Sequence, residues 1–319
     1  MSFSSHPRPL AWRGNAVFER SARFYAPLEA LLDAMAGGYQ PGARDEALRR
    51  ELHLELELQS GVLVHDSPTL KRLESAPFRS LFTAFCLWLG LPVPINKEGL
   101  YLKEVRDHGV RDSRDAPQRG HLTNQELAFH SDRADITVLG CWCPAARGGA
   151  FRIRSSADVV SQAEQRQPAW LTQLNQPIAH DLRDEGGAPW TPVPLLSEQP
   201  DQFVLRYIRK FNDSVARHGV EQPPLVSRML AELDEIIEQP GSYAELNFSK
   251  GMLVAVNNHI TLHARTCFDN DETHERCLLR CWLSSEFTRP LPVSFLPLFH
   301  SVQAGTLRGG VQPEASRVT

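Results

Sequence analysis

"ELAFHSDRAD", running from Glu126 to Asp135, sets an imidazole and a carboxylate two residues apart in front of an apolar run. On a β-strand, residues i and i+2 point to one face. His130 and Asp132, on a strand or at its edge, enter the same space, while Ser131 and Arg133 point away. Ordinary surface pairs have this spacing, and so do two metal ligands that await a third. The stretch that follows, "ITVLGCWC", is short, apolar and rich in strand-forming residues. "GLYLKEVRD", "AFRIRS", "FVLRYIR", "GMLVAVNN", "ITLHART" and "CLLRCWLSS" read the same way.

These strands occupy 99–290, and two helical patches interrupt them: "SSADVVSQAEQRQPAWLTQL", with Ser155 or Ser156 as cap, and "PPLVSRMLAELDEIIEQPG". The first third is helical in pattern. "AVFERSARFYAPLEALLDAMAGGY" stops at Gly37-Gly38, "DEALRRELHLELELQSG" is a helix or a helix running into a strand, and "SPTLKRLESAPFRSLFTAFCLWLGLP" opens on a capping serine. No βαβ alternation, G-x-G-x-x-G or phosphate-loop motif is present. The expectation is a single domain over 1–319, mainly β with α. It comprises a helical N-terminal layer at 1–98, a closed or sandwiched β core at 99–290 and a C-terminal extension at 291–319. The charged loop 107–125 has the length of a lid or connection, and the Gly-rich tail from Gly305 reads as surface chain.

Of 319 residues, 42% are hydrophobic and 23% charged, with a formal net charge of −4, so nothing favours a nucleic-acid or anionic-membrane partner. The N-terminus lacks a signal-peptide apolar core, and the most apolar run, Leu81 to Ile95, is too short to span a bilayer and is broken by prolines. A cytoplasmic location is expected. The six cysteines have apolar neighbours and lack the usual zinc spacing, so they read as buried reduced thiols.

The third ligand comes from "NNHITLHARTCF", where His263 lies on another apolar strand. Two histidines and one carboxylate form the facial triad of non-haem Fe(II), which leaves coordination positions open for chemistry. His259, four residues earlier, is a competitor, but the H-x-R-T context favours His263. Further on, Arg276 and Arg280 in "RCLLRCWL" fall on one face of a strand. A guanidinium in an apolar strand is costly unless an anion pairs with it, and its fork suits a carboxylate.

"FHSDRADITVLGCWCPAARGGAFRIRSS" and "VNNHITLHARTCFDNDETHERCLLRCWL" resemble the two signature segments of the TauD/TfdA-type Fe(II)/2-oxoglutarate dioxygenases, most closely the clavaminate synthase-like branch. The likeness covers roughly Tyr101 to Leu283, and "GTLRGG" adds to it. The resemblance implies a double-stranded β-helix (jelly roll). It makes His130, Asp132 and His263 the iron ligands, with 2-oxoglutarate and O₂ as co-substrates. Arg276 would bind the distal carboxylate of 2-oxoglutarate, and Arg280 the co-substrate or an anionic group of the substrate. Relatives often carry Thr or Ser two positions after the Gly-Gly pair. Here that position is Phe151, and Ser155 or Ser156 is the candidate replacement hydroxyl.

Such enzymes oxidise an unactivated C–H while 2-oxoglutarate becomes succinate and CO₂. Hydroxylation is the usual outcome, with desaturation or rearrangement as variants, and retention of Asp132 argues against halogenation. Arg280 and the basic stretch "RYIRKFND", with Arg206, point to a small amino-acid-like or carboxylated substrate, free or tethered to a carrier protein, in a biosynthetic pathway. Asn124 and Gln125, just before the first ligand strand, are candidate substrate contacts. A metal-retaining sensor and a zinc hydrolase are the competing readings. The first would bind 2-oxoglutarate without turnover, and the second would leave the two arginines unexplained.

Overall fold

A computed structural model describes residues 5–110, 122–183, 185 and 188–312. A 3-10 helix, Asn15–Phe24, leads into α1 (Tyr25–Ala36), which Gly37 ends, and α2 (Glu46–Leu58) follows. The chain then enters β1 (Val62–Asp66), α3 (Pro68–Arg72), α4 (Ser75–Leu89), β2 (Leu91–Val93), β3 (Leu102–Val105), β4 (Leu127–His130) and β5 (Ile136–Cys143). Ser67 caps α3 by accepting from the Leu70 amide at 3.1 Å, as the serine in the sequence leads one to expect. Next come β6 (Arg147–Gly148), β7 (Phe151–Ser155), α5 (Ser156–Arg166), α6 (Ala169–Leu174), β8 (Pro177–Asp181), β9 (Trp190–Pro194), β10 (Leu196–Gln199) and β11 (Gln202–Leu205). The last third holds α7 (Arg209–Asp213), α8 (Pro224–Ile237), β12 (Ala244–Leu246), β13 (Met252–Asn257), β14 (Thr261–Arg265), β15 (Phe268–Asp269), β16 (Cys277–Ser284) and α9 (Leu296–Phe299).

Two antiparallel sheets face one another. The larger has the order β1-β13-β5-β16-β2, with β3 also pairing with β16, and the smaller has the order β12-β7-β14-β4. Alternation along each strand decides which side chains meet between them. Val254 and Val256 of β13, Leu139 and Cys141 of β5, Leu278 of β16 and Ile153 of β7 pack together in this inner layer. Their neighbours Leu253, Ala255, Val138, Leu279 and Cys281 turn outward onto α1, α2 and α4. Leu262 and Ala264 of β14 turn outward onto α5 and α8. This is the double-stranded β-helix expected, within a mixed α/β chain.

The details depart from the sequence reading in instructive ways. The N-terminal 98 residues are not purely helical, because β1 and β2 join the larger sheet by pairing with β13 and β16. "RYIRKFND" is not a basic strand: Ile208 makes an isolated bridge to His130 and the chain turns into α7. The tail does not drape over the surface either. Arg308 and Val311 are buried, and Gly310 donates to the Arg133 carbonyl at 2.6 Å. Residues 111–121 of the charged loop and 313–319 of the tail lie outside the described residues.

Candidate active site

β4 and β14 run antiparallel with His130 directly opposite His263, and the two rings lie 4.4 Å apart between centroids. Asp132, two residues past His130 in the bend after β4, turns its carboxylate into the same space. Its Oδ1 is 3.7 Å from His130 Nε2 and its Oδ2 is 3.5 Å from His263 Nε2. Each of the three residues offers a ligand atom, and these atoms lie within 4.8 Å of one another. Among the described residues this is the group of His, Cys, Asp and Glu side chains close enough to hold a metal ion.

The surrounding groups orient these atoms. His130 Nδ1–H donates to the Ala128 carbonyl at 2.9 Å, which leaves the Nε2 lone pair free. Thr137 Oγ1 and Trp282 Nε1 both donate to Asp132 Oδ2, each at 2.8 Å. Asn258 joins the arrangement: its Oδ1 accepts from the Asp132 amide at 3.1 Å and its Nδ2 donates to Thr137 Oγ1 at 3.0 Å. Inward alternation on β5 and β16 puts Thr137 and Trp282 here. His263 Nδ1 has no partner among the described residues, and its ring packs against His130 and against Phe151, 5.6 Å away. Phe151, where relatives carry a hydroxyl, is thus a buried wall behind the distal histidine.

Electrostatics keep the cluster ready for a cation. Burial, helped by His263 and Arg280, lowers the His130 pKa to about 4, so its ring is neutral at pH 7. Burial alone would raise the Asp132 carboxyl, but its contact with His263 and the Arg280 charge nearby hold it well below the usual carboxylate range. One carboxylate and two imidazoles suit a divalent first-row metal and fit Fe(II).

Both predicted arginines face inward on either side of Leu278. The Arg276 guanidinium lies 4.9 Å from the centre of the Phe268 ring, and its NH1 has no partner among the described residues. The Gly-Gly pair makes this possible. Gly148, at φ 68°, has no room for a Cβ beside the Cys267 carbonyl, and a Cβ on Gly149 would lie 3.2 Å from Arg276 Nε. Burial, with Arg265 close by, lowers Arg276 to about 9, still charged at pH 7. Arg280 lies over the Trp282 ring at 5.0 Å, lines the cavity beside the triad, and leaves Nε unpartnered. Neither arginine has a carboxylate within ion-pair distance among the described residues. Two inward cations without counter-charges fit an anionic co-substrate such as 2-oxoglutarate.

The cavity has a volume of about 650 Å³, with Gln125, Arg206 and Arg280 in its wall. Two expectations are corrected. Ser155 Oγ accepts from the Asp158 amide at 3.3 Å as the N-cap of α5, so it caps a helix and does not line the cavity. Asn124 does not line it either. Its carbonyl accepts from the Phe268 amide at 3.1 Å and ties the loop to β15. His259 lies in the turn between β13 and β14, 2.8 Å from Asp135 Oδ1, and takes no part in the cluster. Sequence reasoning missed Trp282, Thr137, Asn258 and His180. Only Trp282 carried a usable signal, two residues after Arg280 and so on the same face.

A model of the taurine catabolism dioxygenase TauD, TfdA family matches residues 28–282. The chain belongs to this Fe(II)- and 2-oxoglutarate-dependent dioxygenase family. FR-33289 synthase of Streptomyces rubellomurinus (strain ATCC 31215) is 30% identical over 217 residues, which cover 65% of this chain and 64% of that relative's own length. Among solved structures, asparagine oxygenase superposes with a TM-score of 0.58 at 18% identity, covering 75% of this chain and 78% of the other. The non-heme iron oxygenase OrfP, in complex with Fe and alpha-ketoglutaric acid, gives 0.54 at 16% identity, covering 80% and 89%. At these identities the structural likeness speaks for the fold. Among the described residues no helix is long and apolar enough to cross a membrane.

Proposed function

We propose that this chain is an Fe(II)- and 2-oxoglutarate-dependent oxygenase, working as one domain, that hydroxylates an unactivated C–H of a small amino-acid-like or carboxylated molecule in a biosynthetic pathway. His130, Asp132 and His263 hold the metal. Arg276 takes the distal carboxylate of 2-oxoglutarate, and Arg280 the co-substrate or an anionic group of the substrate. With the metal, 2-oxoglutarate and O₂ bound, the chemistry supplied is oxidation of a C–H coupled to formation of succinate and CO₂. The chain's own groups do the placing. Thr137 and Trp282 fix the carboxylate, Ala128 fixes the His130 tautomer, and the cavity holds the substrate away from bulk water.

The observation that carries this reading is the coincidence of a two-histidine, one-carboxylate cluster with two inward arginines that have no carboxylate within ion-pair distance among the described residues. A zinc hydrolase leaves those arginines without a purpose. Asparagine oxygenase and OrfP have been solved with 3-hydroxyasparagine and 3-hydroxyarginine respectively, which supports an amino-acid-like substrate here. Desaturation would use the same residues. The test is oxygen-dependent conversion of 2-oxoglutarate to succinate with a substrate panel, together with the product mass. Gain of one oxygen supports hydroxylation, and loss of two hydrogens supports desaturation. Saturable 2-oxoglutarate binding with no succinate from any substrate would replace the reading with a sensor.

A further inference from the structure

Arg206 is 4% exposed yet lines the cavity. Its NH1 rests on the Asp132 main-chain carbonyl at 3.3 Å, its Nε has no partner, and no carboxylate lies within ion-pair distance among the described residues. The Phe299 ring, 5.6 Å from the guanidinium carbon, lies alongside the group and provides no counter-charge. His180, on β8, is 2% exposed, also lines the cavity, and its Nε2 lacks a partner as well.

Several other charged groups in this wall are committed elsewhere. Arg133 pairs with Glu185 at 3.1 Å. Arg209 pairs with Asp213 at 2.9 Å and with Asp234. Asp181 receives both Arg217 Nε at 2.9 Å and Arg217 NH2 at 3.0 Å. Apart from Arg280 beside the triad, Arg206 and His180 stand buried in this wall, which bounds the space that the substrate must occupy. His180 is held neutral by burial and by Arg206 and Arg133. A buried guanidinium without a counter-charge is costly, and the natural remedy is an oxyanion brought by the ligand.

Resting on the oxygenase reading, we propose that the substrate is a free small acid, not a carrier-bound thioester, and that its oxyanion is seated on Arg206 with His180 beside it. A thioester consumes the charge that Arg206 lacks. The contact of Arg206 with the Asp132 carbonyl places the acid group next to the metal cluster, so the carbon attacked lies only a few bonds from it. Arg206 and His180 are then specificity-determining residues, separate from Arg276 and Arg280.

The test titrates the full chain, loaded anaerobically with Fe(II) and 2-oxoglutarate, with small carboxylic, sulfonic and phosphoric acids. The methyl amide and the N-acetylcysteamine thioester of each carboxylic acid are run alongside. Tryptophan fluorescence and the visible charge-transfer band report binding. At least one acid saturates, which of the three kinds identifies the oxyanion, and for a carboxylic acid the amide and thioester bind far more weakly. Arg206→Gln weakens the acid about 30-fold or more, while Arg206→Lys recovers part of the loss. Formation of the 2-oxoglutarate band is checked in each variant, so that loss of acid binding is read on a loaded site. Equal binding of acid and thioester, wild-type affinity in Arg206→Gln, or no acid binding while the band is intact overturns the proposal. Absence of the band in the wild type overturns instead the oxygenase reading beneath it.

Discussion

Trp282→Phe isolates one hydrogen bond behind the metal cluster. The indole Nε1 donates to Asp132 Oδ2 at 2.8 Å, and Thr137 Oγ1 donates to the same oxygen at 2.8 Å. Phenylalanine keeps an aromatic face beneath Arg280, whose guanidinium sits 5.0 Å from the indole, so co-substrate contacts are largely preserved. A hydrogen bond to a charged acceptor contributes about 1.5–3 kcal/mol. Some of that is shared with Thr137, which remains, so the expected loss of metal affinity is about 10- to 100-fold, or roughly 1.4–2.7 kcal/mol. Calorimetric titration with Fe(II) under anoxia reads it directly. Thr137→Val should have a similar effect, and the double variant should lose more than the sum of the two, because the carboxylate is then held by neither donor. Affinity within twofold of wild type in Trp282→Phe, with the fold intact, would refute the claim that these donors hold Asp132 in its liganding pose.

Three further outcomes concern the frame around the site. Asp135, fully buried, accepts from Arg308 Nε at 2.9 Å and from the Ser285 amide at 3.0 Å, and its Oδ1 lies 2.8 Å from His259 Nε2. Asp135→Asn leaves Arg308 buried without its counter-charge and should cost about 3–5 kcal/mol in urea unfolding. Burial lowers both His53 and His259 to about 4, below the unfolded value of roughly 6.5. The unfolded state therefore binds more protons between those two pH values, so stability falls as pH drops from about 6.5 towards 4 and is level above, and His53→Gln should flatten the slope by about one proton. Gly148→Ala forces a Cβ to 2.3 Å from the Cys267 carbonyl at a positive φ, and displacement of the neighbouring Gly149 from Arg276 should raise the 2-oxoglutarate concentration needed for half-saturation.

The candidate cluster was legible because strand alternation is a local rule. His130 with Asp132, and Arg276 with Arg280, could each be placed on one face without knowing the partner strand. That His263 stands opposite His130 was a matter of register, which single strands do not encode. The short strands β8 to β10, and with them His180, lack strong apolar alternation and went unread. Ser155 was read as a pocket hydroxyl and as a helix cap, and the cap prevailed because α5 begins at the next residue and its orphan amides compete for that oxygen. Arg308, set in a Gly-rich stretch, looked like surface chain. Its counter-ion Asp135 is remote in sequence, so the burial could not be foreseen from local pattern.

The central claim is that one cluster holds Fe(II) while Arg276 anchors 2-oxoglutarate beside it. Anaerobic addition of Fe(II) and then 2-oxoglutarate to the metal-free protein tests it most directly. A weak visible charge-transfer band is expected in the wild type, absent in His263→Ala, and requiring far more 2-oxoglutarate in Arg276→Ala. Iron shown to be bound with no band in the wild type, or a band indifferent to both substitutions, would contradict the account.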